Sequence, residues 1–71
     1  MSIDTYAEQL ESDVRGAIAR GEWDAESLER NMRGVTEFLR TLSDSLSDES
    51  VEMLVTELRV FRKIWLEMVS G

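Results

Sequence analysis

Apolar residues recur along this chain at intervals of three and four, the period of an α-helix. The first such run sets Ile3, Tyr6, Ala7, Leu10, Val14, Ala17 and Ile18 on one face. Ser2 before it is a natural N-cap, since its hydroxyl can accept from an otherwise orphan backbone N–H. Gly21 after it suits the left-handed position that closes a helix. A second start follows at once, with Asp24 as N-cap and Trp23 and Leu28 placed as a hydrophobic staple. From there Ala25, Leu28, Met32, Val35, Leu39, Leu42 and Leu46 repeat every 3.5 residues on average, the rhythm of a helix packed along a neighbour, and Phe38 widens the stripe.

Residues 43–50, Ser-Asp-Ser-Leu-Ser-Asp-Glu-Ser, form the clear break in the second half. Their short polar side chains compete for backbone hydrogen bonds and favour turns and caps over helix interior. Ser47 or Asp48 then caps a third helix, whose first turn holds Asp48, Glu49 and Glu52 where the helix dipole favours negative charge. Val51, Leu54, Leu58, Phe61, Trp65 and Met68 repeat the seam of the second helix. The pattern therefore predicts an all-α, single-domain chain over 1–71 with helices at about 3–20, 25–46 and 49–69. Helices 2 and 3 should form an antiparallel helical hairpin. The N-terminal helix, which completes a three-helix protomer, would pack across that hairpin or reach a second subunit.

Helix 3 carries more apolar surface than one seam requires. At about 100° per residue its apolar side chains cover most of the cylinder, interrupted by Glu57 and Arg62. Met53, Val60 and Ile64 project away from Leu58, the centre of the main seam. A helix that is apolar nearly all round needs cover nearly all round. Either helix 1 supplies that cover within the protomer, or a second chain does. The second reading predicts a helical-bundle homodimer with an interface of Met53, Glu57, Val60, Phe61, Arg62, Ile64, Trp65 and Met68. Asn31 falls within the apolar arc of helix 2, where a buried amide would set register between subunits, or where it would sit half-solvated at the stripe's edge. Gly16 and Gly34 interrupt helical runs, either because another helix approaches closely or because a glycine is simply tolerated.

Size sharpens that expectation. A 71-residue chain buries a modest fraction of its surface and is marginal without a staple or a partner. With no cysteine and no histidine, the sequence offers no disulfide, no thiolate and no imidazole as general base or metal ligand. Its serines sit at caps and turns with no base to activate them. Glu8, Glu11, Glu26, Glu29 and Glu37 fall mainly on polar faces, without the Glu-x-x-His pairs of di-iron bundles. No catalytic residue, cofactor or metal site is expected, and the chain reads as a non-enzyme.

The net charge of −7 is concentrated in residues 21–50, which hold eight acids against three bases, while residues 51–71 are neutral. Such a balance disfavours direct nucleic-acid binding. Six charges within 52–67 argue against a membrane span. The start, Met-Ser-Ile-Asp, lacks the features of a secretory signal, so a cytoplasmic setting is expected. Arg59, Arg62 and Lys63 form a small basic patch, which balances carboxylates elsewhere or receives an acidic segment. Asp13 is one candidate mate for Arg62.

The function that follows is a small acidic protein–protein interaction module, of adaptor, inhibitor or co-chaperone type. It would self-associate, with a dimer favoured, and dock a protein partner through the apolar, aromatic face of helix 3, rich in the residue types where binding energy concentrates. The alternative is an acidic decoy that mimics nucleic acid and fills a basic groove with the carboxylates of residues 22–49. Arg30, Arg33 and Arg40 dilute that face.

Overall fold

A computed structural model describes residues 2–71. It is all-helical over those residues: α1 (Ile3–Ala19), α2 (Ala25–Leu42), a 3-10 turn (Ser43–Ser45) and α3 (Asp48–Ser70). Each α-helix starts at an extended residue whose side-chain oxygen accepts a backbone N–H three positions on. Ser2 accepts from Thr5, Asp24 from Ser27 and Ser47 from Ser50. At the end of α1 the chain turns at Gly21 with φ of 79°, a left-handed conformation costly for any residue with a Cβ. There the amides of Gly21 and Glu22 reach back to the carbonyls of Ile18 and Ala17, which ties off the last turn.

The second helix is shorter than the apolar repeat suggests. It stops at Leu42, and Ser43-Asp44-Ser45 wind into the tighter turn, which leaves Leu46 in extended backbone outside the helix. Local competition from those hydroxyls and the carboxylate outweighs the continuing leucine rhythm.

The longest helix, α3, packs against both others, while α1 and α2 meet each other little. The core is small: Val14 and Ala17 from α1, Leu28 from α2, and Val60, Phe61 and Ile64 from α3. Ala7, Leu10, Ile18, Trp23, Met32, Val35 and Trp65 pack around it half-buried. Trp23 lies against Phe61 with ring centroids 5.9 Å apart and planes tilted by 38°. That separation is within the range where aromatic pairs attract beyond simple burial.

Polar pairs then hold α1 alongside α3. The Tyr6 hydroxyl donates to Glu57, Lys63 reaches Glu11 at 3.1 Å, and Arg15 reaches Glu67 at 2.7 Å. The partners advance together along the two helices, so α1 and α3 run in the same direction.

Candidate functional site: the open faces of α3 and α2

The direction of α1 decides which face of α3 remains open. By lying along α3 through Tyr6, Glu11 and Arg15, the first helix brings Val14 into one buried cluster with Val60 and Ile64. Val60, Phe61 and Ile64, expected at an interface, are instead core residues of the protomer; Ile64 is only 2% exposed. That takes these three residues out of the expected docking face. Its physical cause is that one stripe of α1 suffices to cover this side of α3, with ion pairs closing its margin. Trp65 is half-buried against the same cluster. Met53 and Met68, at opposite ends of the face, remain exposed.

Glu57 is half-buried and serves as the acceptor for Tyr6. Desolvation, and then the hydrogen bond and charge of Glu57, push the Tyr6 phenol up to about 12 from its usual 10.0. The carboxyl of Glu11 is held below its ordinary range, first by the hydrogen bond from Arg15 and then by that from Lys63. The Arg15 guanidinium, shared between Glu67 and Glu11, is raised in turn.

Asn31 is exposed rather than buried, and its amide donates to the carbonyl of Ser27 at 2.8 Å within its own helix. Within the protomer it is thus an exposed residue at the edge of the stripe. It lines an open groove with Arg30, Gly34, Val35 and Phe38 of α2 and Leu54 of α3. A Cβ on Gly34 would meet nothing within 4 Å, so no helix of the protomer requires that glycine. Gly16 likewise faces only the side chain of Arg20.

Four large apolar side chains outside the expected interface complete the exposed surface: Phe38 at 44%, Leu42 at 39%, Leu66 at 45% and Val69 at 52%. Phe38 stands out in the sequence as the residue that widens the stripe of α2. Leu66 and Val69 share a stripe of α3 with Val55, Arg59 and Arg62, and the charges within that stripe obscure it in a count of apolar positions.

Most cations of the described residues lie within 4 Å of a carboxylate. Arg15, Arg20, Arg30, Arg33, Arg40 and Lys63 all pair. Arg59 and Arg62 do not pair, so the expected basic patch divides: Lys63 joins Glu11, and the two arginines stay free. Asp13, the candidate mate for Arg62, instead accepts from Gln9. Among the described residues no three acidic side chains gather so as to hold a metal ion, and no helix is long and apolar enough to cross a membrane. The arrangement presents apolar surface, free guanidinium groups and uncommitted carboxylates, which together make a surface for contact. Comparison of the chain with protein-family models, curated proteins and solved structures gives no match.

Proposed function

We propose that this chain is a small, non-enzymatic protein–protein interaction module of adaptor, inhibitor or co-chaperone type, working in the cytoplasm. It self-associates as a homodimer and docks a protein partner through apolar surface of α3 and the adjoining edge of α2. In this reading α2 and α3 form an antiparallel hairpin. The pairing of Trp23 with Phe61 near one end, and of Val35 and Phe38 with Leu54 near the other, supports that arrangement.

One observation carries the proposal. The chain exposes as many large apolar side chains (Phe38, Leu42, Met53, Leu66, Met68 and Val69) as it has residues in its buried core. Scattered exposed apolar residues are ordinary, but here they gather on two helices of an acidic protein. The accessible surface points the same way. It is 5131 Å², where a compact monomer of this mass exposes about 4,500 Å².

Phe38→Glu and Leu66→Glu test the proposal, because both positions lie outside the core. Each should weaken self-association or partner capture while helix content stays at the wild-type level. Unchanged association in both variants would reject these faces as the docking surface.

The acidic-decoy reading is less well supported. Glu22, Glu26, Glu29 and Glu37 each lie beside an arginine, so the acidic segment is a mixed-charge surface. A decoy's binding would fall steeply with salt, whereas apolar docking would change little.

A further inference from the structure

Four unpaired charges of α3 are ordered along one stripe, with Glu49 off to its side. Asp48, Glu52, Val55, Arg59, Arg62 and Leu66 follow at alternating steps of four and three, so they share a face of the helix. Reading down that face the order is acid, acid, valine, base, base, leucine. The four charged residues are exposed, and none of them forms an ion pair with another described residue, although every other base of the described residues does. Arg59 shares a surface depression with Asp4 and Glu52 without an ion pair to either.

Such a stripe is complementary to itself when reversed. If two copies of α3 cross antiparallel at Val55, Arg62 lies seven residues to one side and Asp48 seven to the other, each about 10 Å from the crossing. Arg59 and Glu52 lie at about 6 and 4.5 Å. Each acid of one copy then faces a base of the other, with valine against valine at the centre. Parallel, in-register pairing would set acid against acid and base against base.

The geometry points to a second copy of this chain as the occupant of this face, docked antiparallel about a two-fold axis at Val55, with Glu52 facing Arg59 and Asp48 facing Arg62 across the axis. The proposal rests on the self-association proposed above and fixes its orientation.

The chain has no cysteine, so single cysteines report the geometry directly. Under mild oxidation Val55→Cys should form a disulfide-linked dimer in high yield. Val69→Cys should not, because antiparallel copies hold those residues about 42 Å apart. Preferential linking through Val69→Cys would overturn the orientation.

Charge reversal supplies the second arm. Asp48→Arg with Glu52→Arg makes the stripe wholly basic, and the dimer should dissociate at least about tenfold more readily; the fourfold variant below keeps both arginines and so controls for any fraying of the first turn of α3. Adding Arg59→Glu and Arg62→Glu should restore self-association, while the fourfold variant should not mix with wild type. If wild type dimerises and the wholly basic variant dimerises equally well, this register is wrong and self-association through another face stands. A wild-type chain that stays monomeric overturns both.

Discussion

Ile64 and Leu28 show most directly how few side chains hold this protomer together. Both are essentially buried, in a core with only four other members. Leu28→Ala should therefore cost about 2–5 kcal/mol, read from the urea midpoint. For a chain this small that is a large share of its stability. Ile64→Glu would bury a carboxylate with no partner and should abolish helical circular dichroism. The contrast with Phe38→Glu, which should leave the fold intact, separates core from docking surface.

Gly34 offers a subtler test. Alanine there meets nothing in the protomer and should stabilise α2 by up to about 1 kcal/mol. If the groove beside it receives another helix, the added methyl should at the same time weaken that docking. Tyr6, the only tyrosine, reports its own environment. Its folded pKa, about 12, lies above the unfolded value of 10.0. The stability it contributes is therefore complete below pH 10.0 and is lost as pH rises toward about 12. Phenolate absorbance should titrate in that upper range in the native chain, and Tyr6→Phe should flatten the alkaline stability profile. Phenolate formation at the ordinary pKa in folded protein would contradict the contact with Glu57.

At the scale of the helices, the caps decide where each begins. The Asp24 carboxylate accepts from both the amide and the hydroxyl of Ser27, which holds its pKa below the ordinary 3.8. Its contribution is complete above that ordinary value and fades as pH falls through the lower folded pKa. Asp24→Ala should fray the first turn of α2, seen as faster amide exchange there, and Asp24→Asn should largely restore it. These starts were legible in the sequence because a cap involves neighbours three residues apart.

The face of α3 that α1 would take was not legible. With apolar residues nearly all round, the helix offers two comparable sides. The side taken is the one where Val14 joins Val60 and Ile64 in one cluster, and its margin is marked by partners 51 and 52 residues away in the chain: Tyr6 with Glu57, Lys63 with Glu11, and Arg15 with Glu67. Nothing in the spacing of apolar residues encodes those pairs. For the same reason Val60 and Ile64 looked available from the sequence, while Leu66 and Val69 did not. The end of α2 is hidden for a different reason: the leucine rhythm runs on to Leu46 while Ser43-Asp44-Ser45 turns the backbone.

The whole molecule is more open than its length requires. Its radius of gyration is 12.6 Å, against about 11 Å for a compact domain of this length. The excess reflects α1 and α2 lying on α3 while meeting each other little. A second chain on the exposed faces would supply the burial that so small a core lacks. Apolar contact dominates this account, with the ion pairs of the α3 stripe orienting the pair and contributing little to its strength. The most direct measurement is light scattering on the size-fractionated wild-type chain, at low salt and again near 1 M, where screening acts within about 3 Å. The account predicts a folded dimer of twice the 8.2 kDa chain mass at both salts, dissociating somewhat more readily at the higher. A folded species of 8.2 kDa at both salts would contradict it.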